Sequence, residues 1–203
     1  MTKKVIGVLV SGRGSNLQAI IDSMKAEQLP IQIGLVISDK PDAYALERAQ
    51  AAGIAVCVIE RRHFSSQQDF EQALSEKLIE HKVELVVLAG FMRLLGSDFI
   101  KNWRLKIMNI HPSLLPSFPG LHPQEQAIAY GVKVSGCTVH FVDEGMDTGP
   151  IILQQAVAIE DADNADTLAQ KILQKEHEIY PKAIALWAND CLHIENRKVT
   201  IKQ

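Results

Sequence analysis

Two uninterrupted apolar runs, Val5 to Val10 and Leu85 to Ala89, constrain this chain more than any other feature of it. A strand with one wet face alternates apolar and polar residues, whereas a run without polar interruptions has to be covered on both faces. Sheets of that kind are mostly parallel and carry helices above and below, because parallel strands need long crossovers. The segments between the runs supply them. Leu17 to Glu27 reads as an amphipathic helix with Leu17, Ile20, Ile21 and Met24 inward, after a break at Ser11 to Asn16. A second unit has strand Ile33 to Ile37, turn Ser38 to Asp42, helix Ala43 to Ala52 and a stop at Gly53. A third has strand Ala55 to Ile59 and a helix from about Gln67 to His81. Phe70, Leu74 and Leu78 fall there at helical spacing, and Ser65 or Ser66 caps the helix.

After Ala89 the pattern shifts. A strand from Lys106 to His111 is followed by a short helix, Gln124 to Tyr130, and by strands Val134 to Phe141 and Ile151 to Ala158. The latter two flank an acidic, Gly-rich loop and read as an antiparallel pair. A long helix from about Asp166 to Asn189, kinked near Pro181, closes the core, and Leu192 to Ile201 forms a small hairpin. The expected fold is α/β and Rossmann-like: a mostly parallel twisted sheet, helices on both faces and an antiparallel C-terminal extension. Without linkers or repeats, residues 1–203 read as a single domain, with an N-terminal half to about residue 100 and a C-terminal half from about 101.

Pro112 cannot donate to a sheet ladder, so the strand before it ends at His111. Period two puts Ile107, Asn109 and His111 on one face and Met108 and Ile110 on the other. An amide and an imidazole therefore stand side by side at a strand's C-terminal end, where open α/β sheets bind ligands. Spacing alone suits a half-exposed strand end with two solvated polar residues equally well. The following loop, Ser113 to His122, is stiff, apolar and Pro-rich, as the wall of a small-molecule cleft is.

Three further features bear chemistry. The turn Ser11 to Asn16, between a buried strand and a helix, aims backbone N–H groups at an anion, and Ser15 and Asn16 add side-chain donors suited to a phosphate monoester. Leu17 stands where a dinucleotide fingerprint has its third glycine, and Gly-Lys-Ser/Thr is missing; the alternative is a plain tight turn. Asp147 lies in the Gly-rich loop and, beside His111, would favour the charged imidazole and orient it. Asp143 and Glu144 could be simple surface charges. Glu176 shares a helical face with Leu168, Ile172, Ile179 and Ala183, where a carboxylate is costly unless paired or facing a polar ligand. His140 reads as a hydrogen-bonded structural histidine.

Composition excludes several classes. A net charge of −3, spread along the chain, offers no basic run for nucleic acid. Three separated cysteines without a CxxC pair point to reduced thiols, and seven histidines without HExxH or close pairing give no support to a metal site. The apolar lead after Met1-Thr2-Lys3-Lys4 is too short for a signal peptide or membrane span. A cytoplasmic protein without membrane partners is expected, as a monomer or homodimer.

Several blocks resemble the phosphoribosylglycinamide formyltransferase family: Ser11-Gly12-Arg13-Gly14-Ser15-Asn16, Leu88 to Arg93, Asn109-Ile110-His111-Pro112-Ser113-Leu114-Leu115-Pro116, Val139 to Asp143, Asp147 to Ile152 and Glu176 to Pro181. The resemblance covers nearly the whole chain. It implies formyl transfer from 10-formyltetrahydrofolate, as co-substrate and without a metal, to glycinamide ribonucleotide in purine synthesis. Asn109, His111 and Asp147 would be catalytic. Gly14, Ser15 and Asn16 would hold the ribonucleotide phosphate and Glu176 its ribose hydroxyls. Met92, Arg93, Leu94 and Leu95, with Asn109 and Asp143, Glu144, Gly145, Met146 and Asp147, would line the folate site. Two positions depart from the family pattern. Gln67 stands where relatives often carry an arginine near the folate, and Leu173 where they often carry a polar residue.

The resemblance also implies a mechanism: an amine attacks the formyl carbon, and Asn109 and a protonated His111 donate to the oxyanion, each such donor worth about 3 kcal/mol. Asp147 would also order a water that moves the proton between amines. The rivals are a formyltetrahydrofolate hydrolase, in which water replaces the amine, and another formyl-folate-dependent transferase. A methionyl-tRNA formyltransferase would need a basic domain after Gln203. A non-catalytic nucleotide-binding module would leave Asn109, His111, Asp147 and Glu176 without a role.

Overall fold

The computed structural model describes residues 3–202; Met1, Thr2 and Gln203, which belong to the expectations about the chain ends, lie outside the described residues. The chain falls into two compact units, Met1–Met108 and Asn109–Gln203, so the division lies within a strand rather than near residue 100.

The first unit contains β1 (Lys4–Val10), α1 (Ser15–Lys25), β2 (Ile31–Ser38), α2 (Tyr44–Ala51), β3 (Val56–Val58), α3 (Gln67–Glu80), β4 (Leu85–Leu88) and α4 (Ser97–Asn102). Its strands lie in the order β3-β2-β1-β4, with β1 parallel to β2 and to β4 and β2 parallel to β3. The two apolar runs are the central pair. Ile6, Val8, Leu9, Val10, Leu85, Val86 and Val87 are completely buried, as their unbroken hydrophobicity requires. Helix α1 starts two residues earlier than its apolar stripe suggests and stops at Lys25, leaving Met24 half-buried. Ser66, not Ser65, caps α3: its side chain accepts the Asp69 N–H, while the Ser65 hydroxyl donates to the Asp69 carboxylate. Helix α4 and a single 3-10 turn at Arg61–His63 have no counterpart in the sequence reading.

Strand β5 (Ile107–His111) straddles the division. The second unit continues with α5 (Pro123–Tyr130), β6 (Val134–Phe141), β7 (Ile151–Ala158), α6 (Ala165–Ala188), β8 (Leu192–Glu195) and β9 (Lys198–Ile201). Its strand order is β5-β6-β7-β9-β8; β6 and β7 are antiparallel, β7 and β9 parallel, and β8 and β9 form the C-terminal hairpin. Helix α6 packs on β6 and β7 through Leu168, Ile172, Ile179, Ala183 and Ile184. It begins at a capping box built on Asn164 and Thr167 and runs on through Pro181 as one helix. The structure is thus α/β, mostly parallel at its start and antiparallel towards its C-terminal end. No helix among the described residues is long and apolar enough to cross a membrane.

Candidate active site

In the first unit the strand order reverses at β1, which has β2 on one side and β4 on the other; such a switch point opens a crevice at the strands' C-terminal ends. The turn after β1 and the turn after β4 meet there, with the Ser11 N–H donating to the Gly90 carbonyl at 3.0 Å and the Met92 N–H to the Ser11 hydroxyl at 2.9 Å. They enclose a cavity of about 330 Å³ lined by residues 11–16, Lys40, Ala89, Gly90 and Met92. Gly14, Ser15 and Asn16 therefore stand together at the start of α1. Gly14 is its N-cap, in the left-handed region at φ 69°, and no side chain caps the helix. A helix start leaves its first N–H groups without intrahelical partners and carries positive partial charge.

Gly14 is also where α2 comes closest. A Cβ there would lie 2.6 Å from the Ala45 Cβ and 2.8 Å from the Ala45 Cα, neither of which can retreat without moving α2. With the positive φ added, Gly14→Ala should cost roughly 1–3 kcal/mol of stability. Chemical denaturation measures this, and an unchanged midpoint would mean that α2 yields freely.

The loop after β4 is braced from α3. The Gln67 side-chain amide donates to Glu71 Oε1 at 2.8 Å and to the Leu94 carbonyl at 3.2 Å, and the same Glu71 oxygen accepts the Gly96 N–H at 2.7 Å. Of the expected folate residues here, Met92 and Leu94 are 72% and 76% exposed and Leu95 is half-buried. Arg93 is exposed as well, and its Nε donates at 2.6 Å to the buried carboxylate of Asp39.

In the second unit β5 and β6 deliver three polar side chains, Asn109, His111 and His140, and the loop 142–150 a fourth, Asp147. Asn109 Nδ2 lies 3.3 Å from His140 Nε2, and His140 Nδ1 lies 2.9 Å from the Phe141 carbonyl. A carbonyl only accepts, so Nδ1 carries the hydrogen and Nε2 accepts from the Asn109 amide. Burial holds the His140 pKa below its ordinary value, which keeps the ring neutral and the acceptor in place. His111 is fixed by the same logic. Its Nε2 lies 2.9 Å from the Phe118 carbonyl, so that nitrogen is a donor, and Nδ1 is the edge facing Asp147 Oδ2 at 3.4 Å. Asp147, itself at φ 54°, also accepts the Gly120 N–H at 2.8 Å and brings its other oxygen to 3.8 Å from His140 Nε2. Asn109, His111 and Asp147 are thus assembled in one cluster, with His140 as a fourth member.

The remaining expected residues are placed less directly. Asp143 serves its own loop, its Oδ1 accepting the Thr148 hydroxyl at 2.6 Å and the Gly145 N–H at 3.2 Å. Glu144 and Gly145 are exposed, and Met146 is 55% exposed. Glu176 is on the buried face of α6, as its spacing indicates. Its charge reaches Cys137 of β6, whose thiol is pushed up to about 12, by burial first and then by that carboxylate. His140 is buried and hydrogen-bonded, as its strand position indicates, whereas the Phe118 carbonyl and Gly120 N–H were missed. Backbone groups leave no residue signature. The position of His140, one strand residue from a chain carbonyl it can bond, was the only signal. Among the described residues no group of three or more His, Cys, Asp or Glu is arranged to hold a metal.

A family model described as formyl transferase matches residues 3–184. The chain is 47% identical over 181 residues to a phosphoribosylglycinamide formyltransferase of Bacillus subtilis (strain 168), a match covering 89% of this chain and 93% of that one. It is 49% identical over 189 residues to a trifunctional purine biosynthetic protein adenosine-3 of Drosophila melanogaster, which covers 92% of this chain and 14% of the fly protein. The chain therefore spans only a small part of that multifunctional relative. Among solved structures, glycinamide ribonucleotide transformylase 1 from Symbiobacterium toebii superposes with a TM-score of 0.97 at 49% identity, covering 99% of this chain and 95% of that one.

Proposed function

The chain belongs to the formyl transferase family, and we propose that it transfers the formyl group of 10-formyltetrahydrofolate to the primary amine of glycinamide ribonucleotide, in purine biosynthesis in the cytoplasm. The observation that carries this reading is the convergence of the Asn109 amide, the His111 imidazole and the Asp147 carboxylate. Gly14, Ser15 and Asn16 would take the ribonucleotide's phosphate, Glu176 its ribose hydroxyls, and Asn109, His111 and Asp147 would supply the chemistry.

The formyl-folate supplies an electrophilic carbon whose oxygen gains negative charge when an amine attacks. Met92 and Leu94 hold large apolar surfaces in water, and covering such surface suits the flat face of a pterin. The Asn109 amide, turned by His140, donates to the oxygen as it charges. His111, tethered through Nε2, offers its Nδ1 edge to the same region. Asp147 faces that ring with its negative charge and, through a water, takes the proton the amine loses and passes it to N10 as the bond from the formyl carbon to N10 breaks and tetrahydrofolate leaves.

The test is an absorbance assay of formyl-folate turnover with and without the ribonucleotide. Tetrahydrofolate should form only when the amine is supplied. Equal turnover with water alone would reassign the chain as a hydrolase.

A further inference from the structure

We infer that Arg48, on α2, is a positioning residue for anion binding by the turn Ser11 to Asn16: its guanidinium turns the Arg13–Gly14 peptide so that the N–H, not the carbonyl, faces the cavity. The inference rests on the reading of that turn as the phosphate holder.

The physical problem is set by the glycines. Gly12 and Gly14 flank Arg13, and glycine adopts positive and negative φ with similar ease, so the peptides between them can turn over at little cost. A peptide turned the wrong way would present a carbonyl oxygen to an anion. In a trans peptide the C=O and N–H point in opposite directions, so whatever fixes the carbonyl also aims the N–H. Helix α2 fixes both peptides. The Gly12 carbonyl accepts the Ala45 N–H at 3.0 Å, and the Arg13 carbonyl accepts Arg48 Nε at 2.9 Å. The first lock is backbone to backbone. The second depends on one side chain.

That side chain is itself held. Arg48 Nη1 donates to Gln18 Oε1 at 3.0 Å, Gln18 Nε2 donates to Asp22 at 2.8 Å, and the guanidinium carbon lies 4.8 Å from the centre of the Tyr44 ring. A planar fork that serves two acceptors and stacks on an aromatic face is a task for arginine that lysine cannot repeat. Arg48 lies behind the turn and is not among the residues lining the cavity, so its effect passes through the peptide it orients.

The experiment titrates inorganic phosphate into the wild type, Arg48→Met and Arg48→Lys by calorimetry, alongside steady-state kinetics. Arg48→Met should weaken inorganic phosphate about tenfold and raise the ribonucleotide KM by the same factor. The values of kcat and the folate KM should stay unchanged. Arg48→Lys should recover part of the loss, since an ammonium can still donate to the Arg13 carbonyl. Unaltered phosphate affinity in Arg48→Met, with only a lower melting temperature, would overturn the inference. So would a fall confined to kcat. A wild-type protein that binds no phosphate would instead overturn the reading of the turn itself. Should Arg48→Met not fold, Arg48→Lys decides alone, and affinity equal to wild type counts against the role.

Discussion

Replacing His111 by alanine should lower kcat for formyl transfer by about 10²–10⁴, with both KM values little changed. The ring is buried and held at both nitrogens, by the Phe118 carbonyl at 2.9 Å and by Asp147 at 3.4 Å, so it contributes little to binding either substrate in the ground state. What it offers is an Nδ1 edge that meets charge only while the reaction proceeds, and such interactions fall on kcat. Asp147→Asn should lose most of the same factor, because the neutral amide removes the negative charge that faces Nδ1. The two side chains act as a unit, so adding Asp147→Asn to His111→Ala should cost far less than it does in the wild type. Losses that multiply in the double variant would show that Asp147 works independently of the imidazole.

Asn109→Ala should reduce kcat by about 10²–10³, the usual consequence of deleting one donor to a developing oxyanion. This amide is aimed by an acceptor that must stay neutral. Because burial lowers the His140 pKa from 6.5, the ring keeps its Nε2 lone pair through neutral pH and surrenders it only in acid. An acid limb of kcat is therefore expected as His140 gains its proton, and Asn109→Ala should flatten that limb. The linkage has the same sign for stability. A histidine whose folded pKa is depressed takes up its proton first in the unfolded chain. The contribution is present above the unfolded value and is lost as pH falls towards the folded one. An acid limb that persists unchanged in Asn109→Ala would assign it to another group.

Much of the fold follows from hydrophobic period alone, and the exceptions have physical causes. The buried runs at β1 and β4 leave no choice but coverage on both faces. Helix α4, with six residues and only Phe99 and Ile100 buried, is shorter than two turns, so no period can show in it. Pro181 lies inside helix α6, among the buried neighbours Ile179, Tyr180, Ala183 and Ile184, so a proline here does not end the element. A single domain and two compact units both fit the even composition, because the division passes through strand β5 rather than a linker.

The site divides along similar lines. Asn109 and His111 are legible because a strand's alternation and a proline place them, and Glu176 because a carboxylate interrupts an apolar stripe. The pairing of Arg93 with Asp39, 54 residues away, is not legible, since its sequence position in the loop says nothing of that partner. Arg48 and Gln67 carry no motif either, since their partners are backbone carbonyls of distant segments.

The segment from Phe118 to Gly120 gives its carbonyl to His111 and its N–H to Asp147, so one stretch of main chain sets the registration of the acid and its carboxylate. Nothing in that tether can be swapped by changing a side chain. A one-residue insertion or deletion there would uncouple both groups at a stroke. Gly120 itself is held to glycine, since its φ is 80° and a Cβ there would lie 3.0 Å from Met146 Sδ.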